Sequence, residues 1–505
     1  MISLLGEESA VVEEPWLEQM MQDLNVNQII FGIKGLSGGY DIEEMYRMYP
    51  VTEDITTYRR KITKEFRRKE FRDIFIAYCK QMRVVRELRK KVKYDNVEVR
   101  KIKVHCDALW LYFDALDKLV MALEIQPVMG EEFLKIKEET EDYLKREDTK
   151  KIREKLNEIH AYFSKNHFLL SIEKNRLYIQ KKEPENEEKN VKTDAIEEVR
   201  GGFWEKTGLQ ELEENKEQSF LAKILMDFVK KEEPGLYDKM EELMKIEGKD
   251  CYFQLEEEAW FYLAFYRYIT QFEENGYVFS LPEQGDKIEL RDGFDLALAA
   301  KKLRSESGVV TNDFSLKNDE KFAVITGPNG GGKTTFARMT GIILYFSAMG
   351  LLVPARMAKI PFYSKILTHF SVEESEKSGK GKLMEELQRL APIMENIQPD
   401  HFVILNELFT TAATKDAEQM GKRVMDMCME KGTCGIYVTH IQGLARETSQ
   451  IVSMIAELCA DHKTRSFRVT RRMAREEEYE DSMIEKHHLL YEQIREVLAN
   501  ESGSV

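Results

Sequence analysis

The chain is short of the residues that mark several protein classes. It has only 6 Cys in 505 residues (Cys79, Cys106, Cys251, Cys428, Cys434, Cys459), with no CxxC pair and no short even spacing. A disulfide framework and a cysteine zinc site are therefore not expected, and the pattern fits a reducing compartment. With 28 Gly and 11 Pro it is no low-complexity or collagen-like chain. Net positive charge is absent as well: the balance is -15, which argues against coating nucleic acid by bulk electrostatics but leaves room for a local basic face. The N-terminus, Met1 to Trp16, lacks the basic stretch of a secretory signal. One apolar run, Met339 to Ala355, is slightly short for a bilayer and follows a phosphate-binding loop, so a buried helix is expected. A cytoplasmic protein without membrane contact is the expectation.

What is present is core material and surface charge. Apolar residues make up 43%, aromatics 10% and charged residues 33%, enough for packed cores in a helix-rich chain with long exposed faces. At about 150 residues per domain the length suggests about three domains.

Ile55 to Lys93 places Phe66, Phe71, Ile74, Phe75, Tyr78, Met82 and Val85 at three- and four-residue steps, a helical period. Between Arg59 and Lys103, 18 Lys/Arg stand against 6 Asp/Glu, leaving -27 on the rest. Such a run is more often a solvated helix face than a nucleic-acid contact. His167 to Gln180 changes to an alternating period and predicts a small β-hairpin. Glu183 to Asp194, rich in Pro, Asn and charge, reads as a loop. The aromatic stretch Trp260 to Tyr268 lies at helical spacing and reads as core. From about Leu281 short strands alternate with helices, the texture of an α/β domain.

The strongest motif follows a short apolar strand, Phe322-Ala-Val-Ile-Thr326. It runs Gly327-Pro328-Asn329-Gly330-Gly331-Gly332-Lys333-Thr334-Thr335 and leads into a helix. This is Gly-x4-Gly-Lys-Thr in the strand–loop–helix setting of a P-loop, also called Walker A. Glycines let N–H groups converge on phosphate oxygens, and the helix N-terminus adds its dipole. Lys333 is expected to reach the β- and γ-phosphates of ATP, and the Thr334 hydroxyl to bind Mg²⁺. A second strand, His401-Phe-Val-Ile-Leu-Asn406-Glu407, ends in polar residues: Asn406 beside the metal, Glu407 placed to orient or deprotonate water. A third, Gly435-Ile-Tyr-Val-Thr439-His440, ends in a histidine that is a candidate γ-phosphate contact.

Thr326-Gly-Pro-Asn-Gly-Gly-Gly-Lys-Thr-Thr335 closely resembles the P-loop of the MutS family. Val309-Val310-Thr-Asn312-Asp, the Leu-Asn-Glu strand end and Thr439-His440 match in order, so the resemblance covers about 294–490. Tyr49 to Arg60 is similar, more weakly, to the start of that family's helical core. The resemblance implies an α/β ATPase domain of the ABC type on a helical core with lever helices, and two subunits completing each other's ATP sites. It places Val310 and Asn312 near the adenine, and Ser378 and Gly379, in the loop Ser378 to Lys382, near the partner's γ-phosphate. It also implies DNA as partner, a homodimer, and a place among mismatch-repair ATPases.

Departures from the family pattern temper this. About forty residues precede the core-like segment, so neither the mismatch-reading domain nor the connector domain is expected. Asn406 stands where the family has the Walker B Asp, and Thr410-Thr-Ala-Ala-Thr414 lacks the usual Arg-Gly. The expected division is 1–44 N-terminal segment, 45–280 helical core and lever with the hairpin at 167–180, 281–475 ATPase domain and 476–505 helical tail. Glu480 to Leu498, apolar at helical spacing, is a candidate dimer contact. The expected function is a slow, DNA-stimulated ATPase that does not itself read mismatches. The alternative is a nucleotide-gated scaffold with weak hydrolysis acting through protein partners. An ABC-transporter subunit fits less well, since no LSGGQ motif is present.

Overall fold

The computed structural model describes residues 2–6, 10–173, 176–181, 196–200, 216–303, 308–371, 382–459 and 464–472. The expected loop at 183–194, the Ser378–Gly379 candidate and the Glu480–Leu498 helix lie outside the described residues.

Two compact units form, Met1–Leu4 with Glu65–Ala259, and Leu5–Lys64 with Trp260–Val505. This division differs from the boundaries expected at 45 and 281. Residues 5–64 pack with the C-terminal half, because their polar groups find partners there. Thr56 donates to the Ala348 carbonyl at 2.7 Å and Thr63 to the Gly350 carbonyl at 2.6 Å. Each of those carbonyls lies at or past the end of a helix, where intrahelical donors run out.

The first unit is mainly helical. Lys69–Tyr94 and Glu98–Glu124 are its long helices, followed by Glu131–Lys145, Glu147–Lys165, Lys216–Glu232 and Pro234–Leu243. Phe66, Phe71, Phe75 and Phe133 are fully buried and pack ring to ring at 5.1–6.0 Å, as their helical spacing requires. The predicted hairpin is present: His167–Glu173 pairs antiparallel with Arg176–Lys181. A third strand unseen in the sequence pattern, Ile196–Arg200, pairs with the other edge of the first.

The basic run from Arg59 to Lys103 is not the uniformly solvated face that its composition suggested. Lys103 is buried against Asp107, and Arg86 reaches the fully buried carboxylate of Glu256 at 2.9 Å. In the second unit Arg59 is wholly buried, donating to the carbonyls of Leu5 and Met48 at 2.9 Å. Burying these charges is tolerable because each is hydrogen-bonded.

The second unit is α/β. Its main sheet has six strands: β1 (Phe322–Thr326), β2 (Lys365–Phe370), β3 (His401–Asn406), β4 (Cys434–Val438), β5 (Ile451–Leu458) and β6 (Arg465–Thr470). The order is β6-β5-β1-β4-β3-β2, parallel except for the antiparallel β5–β6 pair. Every residue of β1 and of β3 is buried, as central parallel strands covered on both faces demand. A smaller four-stranded sheet joins Glu283–Gln284, Met357–Ile360, Glu289–Gly293 and Asn312–Ser315.

Helix α1 (Lys333–Ala348) follows β1, with α2 (Lys382–Asn396) and α3 (Thr414–Glu430) after it. From Phe336 to Ala348 nearly every residue of α1 is buried, which accounts for the apolar run mistaken most easily for a membrane span. Gly341 permits its close packing: a Cβ there would lie 2.5 Å from Leu24 and 2.9 Å from Ile404. Among the described residues no helix is long and apolar enough to cross a membrane.

Candidate functional site

In an open parallel sheet, ligands sit beyond the carboxyl ends of the strands. Here β1, β4 and β3 are neighbours, so the three segments singled out in sequence emerge side by side. The loop after β1 carries Lys333, the end of β3 carries Asn406 and Glu407, and the end of β4 carries Thr439 and His440.

The glycines of the loop answer to specific geometry. Gly327 has φ +134, and a Cβ on it would stand 3.0 Å from the backbone N and O of Ala456 in β5. Gly332 is the N-cap of α1 at φ +100, a left-handed conformation that costs other residues about 1 kcal/mol or more. The Gly331 N–H donates to the Pro328 carbonyl at 3.0 Å, closing the turn, while Asn329 and Gly330 are exposed at its crest. Thr335 continues the first turn of α1, half-buried.

Lys333 is buried and folded onto its own loop. Its Nζ donates to the carbonyls of Gly327 at 2.8 Å and Pro328 at 3.2 Å. Burial lowers its pKa, opposed by the negative charge of Glu407. An anion entering the loop would restore a strong partner for this ammonium.

The Thr334 hydroxyl donates to Asn406 Oδ1 at 3.1 Å. That direction leaves the hydroxyl lone pairs free for a cation, as a Mg²⁺-binding threonine requires. No group of three or more His, Cys, Asp or Glu among the described residues is arranged to hold a metal. The residues therefore fit a cation that brings most of its ligands with it, on phosphate and water.

Glu407 follows β3 with its backbone at φ +56, and Phe409 repeats the left-handed turn at φ +61. Such conformations in non-glycine residues cost about 1–3 kcal/mol and mark sites held by their surroundings. The Glu407 N–H donates to the Val438 carbonyl at 2.8 Å, and the Phe409 N–H to Glu386 of α2 at 2.9 Å. His440 Nε2 meets Glu407 Oε1 at 3.0 Å. That hydrogen bond is the main cause holding the Glu407 carboxyl below its ordinary range, with partial burial opposing it. Thr439, wholly inside, donates its N–H to the Ile325 carbonyl at 3.0 Å and fixes the strand end from which His440 projects.

Asn312 does something the sequence did not disclose. Its amide donates to the Phe467 carbonyl at 3.2 Å, and its Oδ1 accepts the Val469 N–H at 2.7 Å. It thereby ties the small sheet to β6. Val310 lies half-buried just before it. β6 itself, with Arg465 and Phe467 beside the loop, carries no motif that a sequence pattern would flag.

The family described as MutS domain V matches residues 323–488. Similar proteins include the DNA mismatch repair protein MutS of Syntrophomonas wolfei subsp. wolfei, 30% identical over 36% of this chain and 21% of that protein. The DNA mismatch repair protein MutS of Caldicellulosiruptor saccharolyticus is 29% identical over 35% of this chain and 21% of its own length. The DNA mismatch repair protein MutS 2 of Halobacterium salinarum is 30% identical over 29% of this chain and 17% of its own. The chain thus spans about a fifth of the length of the curated relatives it matches. Residues 323–488, which carry the glycine loop and the strand ends of the site, are thus similar to domain V of MutS proteins.

Proposed function

We propose that the chain is a MutS-like ATPase that binds Mg-ATP at Gly327 to Thr335 and hydrolyses it slowly, as a homodimer that engages DNA. The observation that carries this reading is the convergence of the Thr334–Asn406 pair and the Glu407–His440 pair on the end of the sheet from which the P-loop springs.

Each residue then has a role its chemistry suits. Loop N–H groups and Lys333 hold the β- and γ-phosphates. Val310 and Asn312 lie on the adenine side. Thr334, backed by Asn406, would hold Mg²⁺, which neutralises phosphate charge when bound. Glu407, held in place by its hydrogen bond to His440, accepts a hydrogen bond from the attacking water and orients it. His440 would also contact the γ-phosphate. Ser378 and Gly379 would complete the partner subunit's site, as the family resemblance implies.

The helical residues 45–280 would be the core and lever, and 281–475 the ATPase domain. DNA would be held through exposed lysines and arginines on helices, which grip phosphates and read no bases. Phosphate contacts do not sense a mispair, so recognition of mismatches as such is not part of this reading.

The test is equilibrium binding of ATP with Mg²⁺, followed by phosphate release with and without DNA. Binding weakened about 10- to 100-fold by Lys333→Ala and hydrolysis abolished by Glu407→Gln are expected. Wild-type affinity in Lys333→Ala would remove the assignment. A second reading, a nucleotide-gated scaffold acting through protein partners, draws on Asn406, which weakens the metal site. Hydrolysis untouched by any DNA, with nucleotide binding intact, would favour it.

A further inference from the structure

Sequence motifs single out Lys333 as the cation of the phosphate loop and point to no second one. The fold supplies it. Arg465 opens β6, and its guanidinium lies against the crest of the loop: a Cβ built on Gly330 would stand 2.9 Å from Arg465 Nη1 and 3.2 Å from its Cζ.

The backbone that carries Arg465 is held from three directions. Arg465 pairs with Leu458 in the β5–β6 ladder. The Ser466 hydroxyl donates to the Glu457 carbonyl at 2.7 Å. Further along the same strand, Asn312 clasps Phe467 and Val469. This is a guanidinium delivered to one place by its strand, within electrostatic reach of Lys333.

The charges around the loop are unusual in sum. Two cations, Lys333 and Arg465, face it. The metal-side position that an acid would fill is the neutral amide of Asn406. Glu407 is already engaged by His440. Two like charges held near each other without a ligand favour a polyanion, and an acid missing from the metal side removes repulsion toward bare phosphate.

We propose that Arg465 is a second phosphate-binding cation of this site, acting within the same subunit, so that the loop takes the nucleotide's polyphosphate as the free anion and needs no divalent metal for binding. This rests on the ATP-site reading above. Hydrolysis would still need Mg²⁺; capture would not.

The test is titration of a fluorescent ATP analogue into the full chain, in EDTA and in Mg²⁺. The wild type should bind with affinities within about threefold of each other in the two conditions. Arg465→Ala should lose about 10- to 100-fold in EDTA, and clearly less in Mg²⁺, where the metal takes over the neutralisation. Arg465→Lys should keep part of the metal-free affinity. Asn406→Asp works from the opposite side and should weaken binding in EDTA alone, so a poorly folded Arg465 variant does not end the test.

Wild-type affinity collapsing 100-fold or so in EDTA would overturn the proposal. So would Arg465→Ala losing equally in both conditions, or not at all. Lys333→Ala separates the two levels. If it binds like wild type, the phosphate-loop reading itself is wrong; if it loses binding while Arg465→Ala does not, only the second cation falls.

Discussion

Asn406 decides more about this site than any other single side chain. It accepts the hydrogen bond of the Thr334 hydroxyl but brings no charge to the proposed Mg²⁺ position. Losing an outer-shell partner of this kind typically costs about 10- to 100-fold in metal affinity or activity. Expressed in rate, that is about 1.4–2.7 kcal/mol of barrier. Asn406→Asp should therefore lower the Mg²⁺ needed for hydrolysis and raise the basal rate, measured by phosphate release across a Mg²⁺ titration. An unchanged titration, or a slower enzyme, would show that another group already compensates. Lys333→Ala removes a charge-assisted phosphate contact and should cost about 1.5–3 kcal/mol, or about 10- to 100-fold in nucleotide affinity. Calorimetry with ATP and Mg²⁺ reads that directly. Glu407→Gln should keep binding while hydrolysis disappears, because the amide cannot take up a proton from water.

Single strands carry their own consequences. In β4, Gly435 admits no side chain: a Cβ would stand 2.5 Å from the Val403 carbonyl of β3 and 2.8 Å from the ring of Phe322 in β1. Gly435→Ala should destabilise the domain by about 1–3 kcal/mol through overpacking, seen as a lowered urea midpoint. In β2, His369 is buried, and burial, with Arg389 adding to it, pushes its pKa down to about 4. An unfolded histidine takes up its proton near pH 6.5, the folded one only near 4. Stability is thus greatest above pH 6.5 and falls as pH drops through that window, by about 3 kcal/mol in all. Urea melts at pH 7 and pH 4.5 should show the fall, and His369→Leu should flatten it. An equal slope in the variant would assign the acid sensitivity to other groups.

At the scale of the whole molecule, the proposed assembly makes two predictions. With ATP present and hydrolysis blocked by Glu407→Gln, sedimentation should show a dimer; a monomer under those conditions would count against sites completed in trans. DNA binding should weaken steeply with salt, since counterions are released from phosphates. It should also be equal for a G·T duplex and its matched control. A clear preference for the mispair would refute phosphate-only recognition.

Contiguous stretches of sequence determined the candidate site. The P-loop, the Asn406-Glu407 strand end and Thr439-His440 are each local, and each follows an apolar strand whose burial is dictated by composition. Parallel packing then places such strand ends together, so their meeting was legible without coordinates. The helical period around Phe71 and Phe75, the hairpin at 167–181 and the buried helix after the loop are legible for the same reason, since period and turn chemistry are local. Tertiary structure alone decided the rest. Arg59 looks like one more surface cation until its partners, Leu5 and Met48, are seen to come from other segments of the chain. Asn312 and Phe467 stand 155 positions apart, and Arg465 meets Gly330 across a comparable distance in sequence. A contact between residues so remote leaves no period or motif behind. It exists only because the sheet brings β6 alongside the strand that carries the loop.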